Sequence, residues 1–173
     1  MTKLLTFLFF LLIVAGCSQR IAVVKARQDH LESQVPDRNK GSNSRNPAYD
    51  DYLNDGLVLF RQGDFDGARR LFGQAVSVNI TGWQAHYYLG LALGKKQEHA
   101  LARNSLNSSL TCAPNDKRTR SRIYLAMAQS WEKQGKLGQA ELNYITALNL
   151  YPDSSPAAVG LERVERLRRQ SSR

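Results

Sequence analysis

The chain has 173 residues, enough for one domain with extensions, and its 42% hydrophobic content is ordinary for a soluble globular protein. Lys and Arg outnumber Asp and Glu by 24 to 15, giving a formal net charge of +9. That balance favours anionic surfaces but does not choose among lipid headgroups, nucleic acid and acidic proteins. The only cysteines are Cys17 and Cys112. With Cys17 modified, as the next residues suggest, Cys112 has no partner in the chain and a disulfide-stapled fold is excluded.

The N terminus opens with one positive side chain, Lys3, followed by the apolar run LLTFLFFLLIV from Leu4 to Val14. About 11 residues suit the core of a signal peptide and fall well short of the roughly 20 that a membrane-spanning helix needs. Ala15 and Gly16 are small enough for an extended backbone to enter a peptidase cleft, and Cys17 follows. Val14-Ala15-Gly16-Cys17 resembles the bacterial lipobox. The resemblance implies a signal peptide over 1–16 and a lipoprotein whose Cys17 carries acyl chains such as palmitate. Each buried methylene of such a chain contributes about 0.8 kcal/mol to membrane anchoring. Ser18 stands where Asp is the usual inner-membrane retention signal, so for a Gram-negative source the resemblance points to the outer membrane. The other readings of the segment are an ordinary cleaved signal with a chance cysteine and an uncleaved anchor. Without Lys3 the remainder carries 9 − 1 = +8.

Residues 17–48 read as the lipidated Cys and a flexible basic tether. The stretch PDRNKGSNSRNP, Pro36 to Pro47, is polar, basic and rich in turn formers. A coil of about 30 residues spans on the order of 30 Å. Arg20, Lys25 and Arg27 lie near the anchor and could each gain about 1 kcal/mol from anionic headgroups. A merely soluble linker is the equal alternative.

Self-similarity begins after residue 48. Gly63-Asp64-Phe65-Asp66-Gly67-Ala68 and Gly135-Lys136-Leu137-Gly138-Gln139-Ala140 share one pattern, glycine, an apolar residue two places on and alanine at the end. An aromatic follows the last Ala by four residues (Phe72, Tyr144), and another Ala comes three later (Ala75, Ala147). The pattern predicts helix–turn–helix units. Gly ends the first helix in a left-handed conformation. The small Ala lets the second helix come close, and the aromatic fills the gap between them.

These residues resemble the tetratricopeptide repeat, whose period is 34 residues. Repeat one, from about Tyr49, has Tyr52, Gly56, Leu59, Gly63, Phe65, Ala68, Phe72 and Ala75 in register, with Asp55 and Ile80 where Leu and Pro are usual. Repeat two, from about Trp83, has Leu89, Gly90, Leu93, Ala102, Leu106 and Pro114, with Gln97 at the turn glycine and Ser109 at the last small Ala. Repeat three, from about Ser121 to Pro152, has Tyr124, Ala128, Trp131, Gly135, Leu137, Ala140, Tyr144 and Ala147. Ala68 to Ala102 is 102 − 68 = 34 positions, whereas Ala102 to Ala140 is 140 − 102 = 38. About four residues are therefore inserted, and Asn115-Asp116-Lys117-Arg118, just after Pro114, is the expected polar loop. Residues 153–173 contain one amphipathic helix with Leu161, Val164 and Leu167 on its apolar stripe and Glu162/Arg166 and Glu165/Arg169 at i, i+4. It is expected to cap the stack. The resemblance thus implies an all-α protein, a right-handed α-α superhelix of about three repeats over 49–152 plus a C-terminal capping helix.

No residue pattern points to catalysis, a cofactor or a metal. His30, His86 and His99 are far apart, and no phosphate loop, Cys/His spacing or nucleophile elbow occurs. His86 sits at a packing position. Cys112 is expected to be a buried small hydrophobe, with an intermolecular disulfide as the minority alternative. The basic residues cluster at Lys117, Arg118, Arg120 and Arg122, and at Arg163, Arg166, Arg168, Arg169 and Arg173. A nucleic-acid role would need interleaved aromatics and a cytosolic address, so none is expected.

The resemblance implies that a peptide or helix of a partner protein binds along the concave face formed by the first helices. Its groove positions map to Asp50, Leu53 and Leu57, to Gln84, Tyr87, Tyr88 and Leu91, and to Arg122, Leu125 and Gln129. The carboxylate clamp of the chaperone-binding members is absent, because Leu53, Leu57, Tyr88 and Ala126 occupy its places. An apolar, aromatic groove anchored on Tyr87 and Tyr88 is expected. The alternative is that one of the two tyrosines packs into the stack. Lipobox, tether and a few repeats together resemble assembly lipoproteins of envelope machines, such as pilotins and the tight-adherence pilus lipoprotein. That implies a non-enzymatic, periplasm-facing adaptor for a pilus or secretin component. An envelope-maintenance adaptor that recruits peptidoglycan enzymes or aids outer-membrane protein assembly is the other class.

Overall fold

In the computed structural model, which describes residues 46–171, helix α1 (Pro47–Gln62) starts two residues before the expected repeat boundary. The reason is local. The Asn46 side chain accepts a hydrogen bond from the Ala48 amide at 3.2 Å, and Pro47 takes the first helical position, where no amide is needed. The expected signal peptide, Cys17, His30, the expected tether up to residue 45 and Arg173 lie outside the described residues.

Gly63 ends α1 with φ 84°, a left-handed conformation that costs glycine little, and Asp64 caps α2 (Phe65–Val78) by accepting from the Gly67 amide at 2.8 Å. Helices α3 (Trp83–Lys95) and α4 (His99–Cys112) form the second pair, α5 (Lys117–Lys133) and α6 (Leu137–Leu150) the third, and α7 (Ser155–Ser171) follows alone. Gly135 repeats the left-handed turn at φ 71°, and in repeat two Gln97 adopts it at φ 63° without being glycine.

The inserted residues do not form a loop. Asp116 accepts from the amides of Arg118 (3.3 Å) and Thr119 (2.8 Å), so the helix already starts at Lys117. The four extra positions become one added turn at the N terminus of α5, and all four basic residues from Lys117 to Arg122 are helical. An aspartate two residues after a proline is a helix start signal, and here it outweighs the polarity of its neighbours.

Three slots repeat along the stack. Ala68, Ala102 and Ala140 are buried at the closest approach within each pair. Phe72, Leu106 and Tyr144 fill the space beyond them, each essentially inaccessible to solvent. Tight contact at these plugs explains the small residues opposite: a Cβ on Gly56 would lie 2.6 Å from Phe72, one on Gly90 2.7 Å from Leu106, and one on Gly160 2.4 Å from Tyr144. A third slot, Ala75, Ser109 and Ala147, meets the start of the first helix through a serine hydroxyl in two repeats. Ser109 donates to the Trp83 carbonyl at 2.9 Å, and Ser121 donates to the Ala147 carbonyl at 2.7 Å. Trp83 and Ser121 are equivalent positions, as are Ser109 and Ala147, so the same bond is made from opposite sides. Both buried hydroxyls are thereby satisfied.

His86 is a packing residue, its Nε2 2.8 Å from the Ile80 carbonyl oxygen. Cys112 departs from expectation. It is half-buried rather than buried, with its thiol 3.9 Å from the same carbonyl, because α4 ends there and no described residue covers its last turn completely. In α7, Val164 is buried and Leu161 packs on the core, but Leu167 is 40% exposed. The stripe ends one turn early because α7 outruns the helices it lies on. The pairs Glu162–Arg166 (3.6 Å) and Glu165–Arg169 (4.0 Å) form as expected. Longer-range pairs fix the cap more firmly: Arg163 reaches Glu132 at 2.5 Å and Arg168 pairs with Glu141.

Candidate functional site

Successive first helices touch one another, α1 with α3, α3 with α5 and α5 with α7, while the second helices α2, α4 and α6 do not. The first helices therefore line the inner side of a curved stack. A hollow of about 430 Å³ opens there between α3 and α5. Its floor and walls include Tyr87, Leu91, Gly94, Leu125, Ala126 and Leu106, and Phe60 of α1 and Pro156 of α7 close its ends. The hollow lies beside Leu106, the smallest of the three interhelical plugs.

The positions projected from the resemblance divide into two groups. Tyr87, Leu91, Leu125 and Gln129 line the hollow. Leu53, Leu57 and Tyr88 instead pack on the buried cluster of Ala68, Phe72 and Ala92. The Tyr88 ring stacks on Phe72 at 5.6 Å between centroids, with the planes only 25° apart. Tyr87 meets Tyr88 edge to face at 5.2 Å and turns the other way, towards Ile123 and Ala126. So of the tyrosine pair one packs into the stack and one faces the hollow. Consecutive helical residues point about 100° apart, and a single interface cannot take both.

Gln84 lies outside the hollow and accepts a hydrogen bond from the Tyr49 hydroxyl at 3.5 Å. The same hydroxyl accepts from the Ala85 amide at 3.3 Å, giving α3 a cap that Gly82 cannot supply. Burial pushes the Tyr49 hydroxyl above its ordinary pKa. The exposed Arg122 places its guanidinium 5.4 Å from the Tyr87 ring centre. Burial pushes the Tyr87 pKa up as well, and the charge of Arg122 opposes that shift. Asp50 is half-buried on the first turn of α1, outside the hollow.

Several lining residues were not marked by the sequence. Gly94, Lys95, Ser130 and Lys133 belong to the hollow because they stand on the last turns of α3 and α5, and His99 joins them from the first turn of α4. Ser130 donates to the His99 carbonyl at 3.3 Å and accepts from Arg103, whose guanidinium lies over the Trp131 ring, 3.5 Å from its centre, and also donates to Gln134. Arg103 thus ties α4 to α5 beneath the hollow.

The basic clusters are largely occupied within the chain. Arg118 lies over the Tyr151 ring at 5.3 Å, and Arg120 donates to the Leu110 carbonyl. In α7, Arg163, Arg166, Arg168 and Arg169 all pair with glutamates. No helix among the described residues is long and apolar enough to cross a membrane.

Residues 53–117 match the family described as Tetratricopeptide repeat. No curated protein matches the chain. Among solved structures, the chain is similar to the Sgt2 TPR domain from Aspergillus fumigatus, with a TM-score of 0.66 and 16% identity over 73% of this chain and 82% of that one. It is also similar to SycD, a type III secretion translocator chaperone of Yersinia enterocolitica (TM-score 0.64, 14% identity, 73% and 98% covered). A third likeness is to the second TPR domain of human RPAP3, solved in complex with an HSP70 peptide (TM-score 0.62, 16% identity, 68% and 95% covered). At such identities the likeness establishes the fold. It is the expected all-α tetratricopeptide superhelix of three helix pairs and a closing helix.

Proposed function

We propose that this chain is a non-enzymatic adaptor that holds a peptide or helix of a partner protein in the groove between α3 and α5. The observation that carries this is the hollow itself, about 430 Å³ of open space with Tyr87, Leu91 and Leu125 on its walls, on the side where the first helices converge. Unfilled apolar surface of this kind gains free energy when a partner covers it. The structures of SycD with a peptide of the translocator YopD and of RPAP3 with an HSP70 peptide are of similar fold and support a peptide as ligand class. The basic residues of α7 are already neutralised by glutamates, which favours the groove over that face.

In this proposal Cys17 is acylated and anchors the chain to the outer membrane, facing the periplasm, and the partner is a pilus or secretin component. The sequence Val14-Ala15-Gly16-Cys17 and the residue Ser18 support the anchor. Labelled palmitate should enter the wild-type chain and not Cys17→Ser, and equal labelling of both would remove the anchor. The partner is tested by a photocrosslinking residue placed at Leu91, in the hollow, or at Leu142, which is 65% exposed on α6. An adduct from Leu91 alone with a secretin or pilus subunit is expected. A cell-wall hydrolase in that adduct would replace this assignment with the envelope-maintenance one, and adducts from Leu142 alone would move binding off the groove.

A further inference from the structure

The groove has a chemical bias that its apolar lining conceals. Gly94 occupies the position equivalent to Phe60 in repeat one (94 − 34) and Glu132 in repeat three (94 + 38). In those repeats a large side chain stands at this place. In repeat two nothing does: a Cβ on Gly94 would have no neighbour closer than the Ala102 Cβ at 4.0 Å. Gly94 therefore leaves part of the hollow open, and close helix packing does not require it.

The residue after it repeats as well. Arg61, Lys95 and Lys133 are equivalent, and Lys95 and Lys133 both line the hollow. A cation in the last turn of a helix is partly explained by the helix dipole. The dipole does not explain why no acid lines the rim. The acids on neighbouring turns are drawn away: Glu132 is held by Arg163 and by the Tyr144 hydroxyl (2.6 Å), and Asp66 and Glu98 share Lys96. Neither Lys95 nor Lys133 is in an ion pair with a described residue.

His99 also lines the hollow, and its buried Nδ1 has no hydrogen-bond partner among the described residues. Burial, and then the positive charges of Lys133 and Arg103, hold the His99 pKa below its usual value, another sign of an electropositive rim. These positions are distinct from Leu53, Leu57, Tyr88 and Ala126, where the chaperone-binding repeats place their carboxylate clamp.

We infer that the hollow takes an acidic segment of a partner protein, one apolar side chain entering at Gly94 while flanking Asp or Glu carboxylates meet Lys95 and Lys133. This inference rests on the groove proposed above. The two exposed lysines select against basic segments, because like charges brought together at the rim repel while carboxylates are attracted.

The probe is a phage-displayed library of random peptides of about 12 residues, panned on the full chain and on two variants, Gly94→Leu and Lys95→Glu/Lys133→Glu. Wild type should enrich Leu, Ile or Phe flanked by Asp and Glu. The recovered peptides, measured by fluorescence anisotropy, should lose at least about tenfold in affinity with the charge-reversed variant and weaken as salt rises from about 50 to about 300 mM. Gly94→Leu should abolish their binding while its thermal midpoint stays at or above that of wild type, since leucine is a better helix former than glycine. Enriched peptides without acidic residues that still need Gly94 would overturn the acidic partner and leave the groove standing. Peptides that bind wild type and Gly94→Leu equally would overturn both. Failure to enrich any sequence would overturn the inference.

Discussion

Phe72 and Tyr144 occupy the same slot in the first and third repeats, and the stack secures them by different means. Phe72 is held by rings: Tyr88 stacks on it, Phe60 lies 6.5 Å away, and Gly56 leaves room beside it. Tyr144 is held by Gly160 and by an ionic group, its hydroxyl donating to Glu132, which Arg163 grips from the closing helix. The added hydroxyl is buried and must be satisfied, and the carboxylate that satisfies it must itself be paired. One oxygen atom therefore brings two further residues and secures α7. The middle repeat has Leu106 in this slot, smaller than either ring, and the groove widens beside it. Among the described residues, the first and third slots are filled by rings and the middle one by a smaller side chain.

The comparison breaks first if the two plugs are not equally essential. Phe72→Ala and Tyr144→Ala should each lower stability by about 3–5 kcal/mol in urea unfolding. A loss below about 1 kcal/mol at either would mean that this end of the stack collapses to fill the space. Close contact is tested next. Gly56→Ala and Gly160→Ala should each cost about 1–3 kcal/mol by crowding the rings, although alanine favours a helix. Stabilisation by either would show that its ring can move aside.

The polar half of the comparison is sharpened by Tyr144→Phe, which should cost about 1.5 kcal/mol, with no counterpart at Phe72. It has a pH signature. Arg163, and to a lesser degree Tyr144, hold the Glu132 carboxyl below the usual carboxylate range against the opposing effect of burial. A folded-state pKa below the unfolded one means that the contribution is complete above about pH 5 and is lost as pH falls through the folded value. Urea midpoints followed from neutral pH into acid should therefore fall less steeply for Glu132→Gln than for wild type. Part of the acid loss should remain, because Asp66 and Asp116 are also held low. An unchanged slope would remove Glu132 from the account. The smallest effect has the opposite sign. Gln97→Gly should stabilise the chain by up to about 1 kcal/mol, since a left-handed residue here lacks the glycine that Gly63 and Gly135 supply. No gain would show that the Gln97 side chain makes a compensating contact.

Much of the fold was legible in the sequence because it depends on spacing. The glycine turns, the close alanines and the interhelical plugs recur at a fixed period, and each has a local steric reason that holds wherever the period holds. The length of the insertion was legible too, but not its form. Polar residues after a proline suit a loop and a capped helix alike, and only the bonds from Asp116 to the amides of Arg118 and Thr119 decide for the helix.

The site was legible in part. The resemblance placed Tyr87, Leu91 and Gln129 on the groove, and they line the hollow. It also placed Tyr88, Leu53 and Leu57 there, and these pack on Phe72 instead, because aromatic stacking between neighbouring repeats depends on an approach of helices that no local pattern encodes. Gly94, Lys95, His99 and Lys133 passed unmarked for the same reason. Sequence by itself determined the period, the turns and which face of each helix is apolar, since those follow from residue size and backbone preference along one chain. Tertiary structure alone decided which apolar residues would be left without a neighbour and which charges would pair, because both depend on distances between helices far apart in the chain.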